Sequence, residues 1–260
     1  MCYTGCMRLF VSSRERVFAQ ELRQRSAGLA CFADVIEAME RIQSVVGRDD
    51  GVWWFTELYR QVTCEVRAHC ATGFFAEPAW MEELVIQFSR LYFDALWLWF
   101  SHDRWACPPS WAVFFHHRFL LRKKGYSPLQ FALAGVNAHI QRDLGFAAHI
   151  TRRLFPRDAT RDARIYQDYV RVNAILERVE VGAMRSMATG WVKRVSEVVH
   201  PVDAWLAMGV IRVGRWIAWR TAALYFWLVR RFPRAASVYL ALVERSVATV
   251  GRLLLIPTFS

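Results

Sequence analysis

Apolar residues recur at three- and four-residue intervals along most of this chain, and no stretch shows the clean alternation of a half-buried strand. From Val52, the residues Phe55, Leu58, Val62 and Val66 mark one helical stripe. Glu77-Pro78-Ala79-Trp80 opens a second helix, where a proline in the first turn gives up no hydrogen bond. That helix runs to about Ser101 and buries Leu84, Phe88, Leu91 and Ala95. Pro108-Pro109 breaks the chain, and Ser110 caps a third helix that passes Phe119 and Leu120 and stops in Arg122-Lys123-Lys124-Gly125. Ser127-Pro128 starts a fourth, with Leu129, Leu133, Val136, Ile140 and Leu144 as its stripe and Gly145 as a candidate break. A further helix from about Asp162 buries Ile165, Val172, Ile175 and Val179.

The two ends read differently. The first fifty residues are polar apart from the patch Ala27 to Ala38, and they close in the turn-like Gly47-Arg48-Asp49-Asp50-Gly51. Beyond His200-Pro201 the chain is very apolar, yet its longest uncharged stretch, Thr221 to Val229, falls well short of the ~18 residues a membrane span needs. Plotted as one helix, Ala204 to Arg231 separates an aliphatic face (Leu206, Val210, Ile217, Leu224, Leu228) from a face carrying Arg212, Arg215, Arg220 and Arg230. Trp205, Trp216, Trp219 and Trp227 are interleaved with those arginines. The expected fold is all-α: a single bundle-like domain. Residues 1–51 form a helical N-terminal extension, 52–200 the core, and 201–260 amphipathic C-terminal helices packed on it.

Composition narrows the partners. The net charge is +11, from 34 Lys and Arg against 23 Asp and Glu, which favours anionic partners. Phosphorylated small molecules and acidic lipid surfaces remain; no zinc-finger spacing, RNA-binding aromatic signature or glycine-rich phosphate loop supports nucleic acid. Arginine richness equally fits a GC-rich genome. Twelve Trp are enough for some to cover a cavity or meet a partner. The six cysteines show no CxxC, and Arg8, Arg14, Glu15 and Arg16 precede any secretory core, so the expected location is cytoplasmic, with peripheral membrane contact through the tail. Oligomeric state is not legible.

Two pairs of metal-competent residues stand four apart, one helical turn: Glu65 with His69, and His139 with Asp143. At about 100° per residue, Glu65 and His69 fall within the Leu58-Val62 stripe, and His139 and Asp143 at the edge of the Val136-Ile140 stripe, with Asn137 at its other edge. Polar groups in a buried stripe need partners, which are one another, water or a metal. Asp168, at the edge of the Ile165-Val172 stripe, is a third candidate carboxylate. His116 and His117 are consecutive, so only one turns inward.

The segment from Asn137 to His149 reads HxxxDxxxxxH and resembles the zinc-ligand stretch of the helical zinc-dependent phospholipase C and S1/P1 nuclease families. That resemblance implies His139, Asp143 and His149 as ligands of a zinc that activates water for phosphate-ester cleavage. The proline before the last histidine, the N-terminal tryptophan ligand and the later histidine–aspartate sets of those families are absent. A longer resemblance, over roughly residues 52 to 180, is to an uncharacterised bacterial all-helical family, a domain of unknown function. It rests on Glu57-Leu58-Tyr59-Arg60, Pro78-Ala79-Trp80-Met81-Glu82, Phe88 through Leu96, Gly135 to Ile140 with Asp143-Leu144, and Asp168 to Leu176. It supports the domain boundary and the choice of Asn137, His139 and Asp143.

Three expectations follow. The first is an enzyme acting on a hydrophobic, phosphorylated or otherwise anionic small molecule. Glu65, His69, His139 and Asp143 hold a divalent metal such as zinc, Asp168 and Asn137 assist, and Arg212, Arg215 and Arg220 hold the anion. The second is a metal-free cyclase or isomerase using the His139–Asp143 pair in an aromatic pocket. The third is a lipid- or isoprenoid-binding protein without catalysis, its polar pairs serving structure alone.

Overall fold

The computed structural model of the chain describes residues 11–101, 104–156, 158–187 and 202–257. Among these residues the backbone is helical and forms no strand. The elements are α1 (Ser13–Gly28), α2 (Phe32–Val46), α3 (Gly51–Ala71), α4 (Pro78–Phe100) and α5 (Pro109–His117), which tightens into a 3₁₀ turn at Arg118–Arg122. Then come α6 (Pro128–Ala138), a π-helical turn (His139–Leu144), α7 (Gly145–Leu154), α8 (Ala159–Met187), α9 (Val202–Arg231) and α10 (Pro233–Leu254).

Local chemistry explains most of the starts. Ser127 caps α6 with Pro128 in the first turn and Pro78 opens α4, both as the sequence predicts, and Gln130 completes a reciprocal capping box with Ser127. Ser110 does not cap α5. The helix begins one residue earlier, and the Ser110 N–H donates to Glu244 Oε2 at 3.2 Å, so a carboxylate from α10 serves that positive helix end.

The segment before residue 52 is no appendage. Phe18, Leu22, Val35, Met39 and Ile42 are buried in the same core as α3 and α4, with α1 packed on α4 and α2 on α3. Arg118 ties this end down, donating to Asp50 Oδ2 from Nε at 2.6 Å and to Glu15. Asp50 also caps α3 by accepting from the Val52 N–H. Burial, opposed by Arg118, pushes the Asp50 carboxyl up to about 6. One core therefore runs from Val11 to Leu255. The boundary expected at His200-Pro201 lies outside the described residues.

Two close approaches fix the centre. A Cβ on Gly135 would stand 2.3 Å from Phe55 Cγ, so the glycine lets α6 settle on the α3 aromatic. A Cβ on Gly145 would stand 2.2 Å from the Ala218 carbonyl oxygen of α9. Gly145 is thus a contact glycine rather than a break, and the helix runs on through it into α7.

The face that α9 buries differs from the expected one. Ile217 and Leu224 are exposed, whereas Gly214, Arg215, Ala218 and Ala222 are buried. Small residues win that face because they let the α9 backbone approach Gly145. Trp205, Leu206 and Val210 have side chains outside the described residues. No helix among the described residues is long and apolar enough to cross a membrane.

Candidate functional site

An apolar cavity of about 100 Å³ lies between α3, α4, α6, the π turn, α8 and α9. Phe55, Tyr59, Phe88, Leu133, Val172 and Ile211 make much of its wall. Three polar side chains interrupt that wall: Thr63, His139 and Arg215. Thr63 Oγ1, His139 Nε2 and Arg215 Nε are buried and have no hydrogen-bond partner among the described residues. Other such atoms occur elsewhere, on Trp80 and Asn173 for example. What distinguishes these three is that one cavity collects them.

His139 sits at the start of the π turn, an irregularity that recurs at functional sites. Its ring stacks on Phe88, centroids 3.4 Å apart and planes within 5°, and meets Tyr59 edge-on at 4.6 Å. Nδ1 lies 3.0 Å from Asp143 Oδ2. The carboxylate can only accept, so Nδ1 carries the proton and Nε2 the lone pair. Burial lowers the His139 pKa below the usual imidazole value, with Asp143 opposing it, which keeps the ring neutral near pH 7.

Asp143 is wholly buried and saturated. Oδ2 also accepts from Trp111 Nε1 at 2.8 Å, and Oδ1 accepts from Arg142 Nη1 at 2.6 Å. Arg142 in turn donates to Glu244 Oε1 at 3.0 Å, which spreads the charge over α10 and the π turn. The outcome is a histidine whose orientation and tautomer are locked and whose second nitrogen stands at a hydrophobic wall.

Arg215 is 5% exposed and has no carboxylate partner among the described residues. Its guanidinium covers the Tyr169 ring at 4.3 Å, Nη2 donates to the Tyr169 carbonyl at 2.5 Å, and the Tyr169 hydroxyl donates back to the Arg215 carbonyl at 2.7 Å. Burial lowers the Arg215 pKa, with Tyr169 the group opposing it, but a guanidinium stays charged in a protein. A buried cation without an anion is costly, and an anionic ligand in the cavity would relieve that cost.

The other predicted residues stand elsewhere. Glu65 is exposed. His69 Nδ1 donates to the Glu65 backbone carbonyl at 2.7 Å and stands 3.9 Å from the Glu65 carboxylate, and His69 Nε2 lies 2.7 Å from Arg178 Nη2. The buried side of α3 carries Phe55, Thr56, Tyr59, Thr63 and Val66, about 100° round the helix from the Leu58-Val62 line, which is only half-buried. Asp168 is buried but accepts from the Ala76 and Glu77 N–H groups at 3.1 and 2.7 Å, anchoring the start of α4. Asn137 Nδ2 donates to the Val247 carbonyl at 2.9 Å and so holds α10. His149 stacks on Phe226 of α9 at 3.5 Å. Among the described residues no three of His, Cys, Asp and Glu are grouped to hold a metal, so neither the expected quartet nor the HxxxDxxxxxH trio meets at one centre.

Of the tail arginines, Arg215 alone lines the cavity; Arg212 pairs with Glu177 at 2.9 Å, while Arg220 and Arg230 are exposed. Thr63, Trp111, Arg142 and Glu244 escaped the sequence reading. Thr63 was findable, since it continues the Phe55-Tyr59-Val66 face at helical spacing; Glu244 belongs to a distant helix and left no local signal.

A profile described as a family of unknown function (DUF5995) matches residues 32–257. No curated protein and no solved structure matches the chain.

Proposed function

We propose that this chain, which belongs to the family of unknown function DUF5995, binds a compact hydrophobic anion in the cavity beside Arg215 and His139. The observation that carries this reading is Arg215, a charged side chain set into an apolar wall with no carboxylate to neutralise it among the described residues. The lining supplies the rest: an apolar body is favoured by aromatic and aliphatic walls, and Thr63 and His139 offer two further hydrogen-bonding atoms. At about 100 Å³ the cavity is smaller than the engineered apolar cavity of ~150 Å³ that holds benzene, which sets a single ring as the upper limit for the body of the ligand.

A second reading rests on His139 itself. Neutral, oriented by Asp143 and with a lone pair on Nε2, it is equipped to take a proton from a ligand held by Arg215. This supports a proton-transfer enzyme, of the hydrolase, cyclase or isomerase kind, over a passive carrier. The dyad spends Nδ1 on Asp143, so a divalent metal would find one donor there, Nε2, and no further carboxylate or histidine grouped with it among the described residues.

Calorimetric titration with benzoate and with its neutral counterpart benzamide tests the binding reading. Benzoate is expected to bind more tightly, and Arg215→Met to remove that preference with a loss of tenfold or more, since a charged hydrogen bond is worth about 1.5–3 kcal/mol. Equal affinity for the two compounds, or an unchanged preference in the variant, would overturn it.

A further inference from the structure

Opposite Arg215, α9 presents a surface of different character. Val213, Trp216, Ile217, Leu224 and Trp227 are between 43% and 56% exposed and recur at three- and four-residue spacing, forming one outward stripe. Phe232, 56% exposed, and Val238 continue the apolar surface into α10. Exposed aromatic residues at this density are not the scattered apolar side chains of an ordinary surface.

The charge on this face has one sign. Arg220, Arg230, Arg231 and Arg234 are exposed and make no ion pair among the described residues. Between residues 211 and 257 no carboxylate is exposed, because the one acid there, Glu244, is buried against Arg142 and Ser110. The Arg220 guanidinium lies 4.6 Å from the Trp216 ring, beside an open groove of about 600 Å³ lined by Tyr166, Trp216, Trp219, Arg220 and Ala223. Aromatic rings with a cation between them are the composition of a phospholipid headgroup zone, where Trp rings sit at the interface and arginines reach up to phosphate. A second copy of the chain fits worse: a two-fold contact would set one unpaired arginine cluster against another.

We propose that the outward face of α9, continued into the start of α10, docks on an anionic phospholipid surface. The helix lies in the headgroup plane, with Trp216, Ile217, Leu224 and Trp227 inserted and Arg220, Arg230, Arg231 and Arg234 at the level of the phosphates. This is independent of the cavity reading, since it uses the opposite side of the helix.

Co-sedimentation of the full chain with vesicles tests it, one set containing phosphatidylglycerol in phosphatidylcholine and the other phosphatidylcholine alone. Binding is expected to the anionic vesicles only, and to fall steeply as added salt shortens the screening length from ~30 Å at 0.01 M to ~8 Å at 0.15 M. Trp216→Glu with Trp227→Glu should abolish it. Arg220→Gln with Arg231→Gln, two exposed changes that leave the fold alone, should weaken it by about fivefold per arginine. Arg215→Met should leave it unchanged, which separates this surface from the cavity. Equal binding to neutral vesicles, no binding to anionic vesicles at low salt, or wild-type binding by the arginine variant would overturn the proposal. So would a wild-type dimer that the tryptophan variant dissociates, since a second copy would then own the face.

Discussion

Glu65–His69 and His139–Asp143 have the same residue types and the same one-turn spacing, yet they end in opposite environments. The first pair spans 3.9 Å with the glutamate side chain 51% exposed; the second spans 3.0 Å with side chains 3% and 0% exposed. Spacing alone sets whether two side chains share a helix face, and it says nothing about what the face meets. On α3 that face looks past the cavity rim. In the π turn it is closed by Trp111, Arg142 and the Phe88 ring, and there the carboxylate bonds the imidazole directly, whereas His69 bonds the Glu65 backbone carbonyl instead.

The largest expected contrast is in stability. Asp143→Ala leaves Trp111 Nε1 and one Arg142 donor buried without their acceptor, and is expected to cost about 3–5 kcal/mol, the range for breaking a buried ion pair from one side. Urea denaturation measures it, and a loss below about 1 kcal/mol would remove the distinction between the pairs.

An intermediate effect lies in pH dependence. Because the folded state holds His139 below its ordinary pKa, the unfolded chain binds the extra proton. The neutral ring's contribution is therefore complete above an unfolded pKa of about 6.5 and is lost as pH falls toward the folded value, by at most about 1.4 kcal/mol per pH unit. His139→Phe keeps a ring to stack on Phe88 and should flatten that slope relative to wild type when unfolding is followed from pH 7.5 to 5. Parallel curves for the two proteins would mean that His139 keeps its unfolded pKa in the fold, and a wild type that gains stability over the variant as pH falls would mean that the ring is protonated there.

Smallest is the outer pair. Glu65→Gln should shift stability by no more than about 0.5 kcal/mol, as exposed substitutions do, and the half-buried His69→Gln by about 1 kcal/mol for its bond to the Glu65 carbonyl, with benzoate binding unaffected. A binding loss in either would bring α3's outer face back into the site.

The all-helical fold, the starts at Pro78 and Ser127-Pro128 and the His139–Asp143 pair were legible because each depends on neighbours in sequence: Ser127 with Pro128, Pro78 at a first turn, two residues one turn apart. What escaped depends on partners far along the chain. Arg118 reaches back to Glu15 and Asp50, Glu244 crosses to Arg142 and Ser110, and Ala218 with Ala222 outcompetes the larger aliphatic residues of α9 because of where Gly145 stands. Hydrophobicity favoured Phe55, Leu58, Val62 and Val66 as the inward line of α3, and of these Phe55 and Val66 are buried while Leu58 and Val62 are only half-buried. The actual line runs through Phe55, Tyr59 and Thr63, since the aromatic layer with Phe88, Trp111 and His139 forms there.

The π turn makes residue number, as distinct from residue type, a constraint on this part of the chain. Were these six residues to relax to ordinary α geometry with none removed, everything after them would rotate by about 100°, since a π turn holds about one residue more than the α-helical stretch it replaces. Gly145 would leave the Ala218 carbonyl and a side chain would arrive in its place, so the clash would fall on α9 although no α9 residue had changed. A one-residue gap in homologous chains should accordingly fall within these six residues, where loss of the π turn compensates for it, rather than in the α-helical turns on either side.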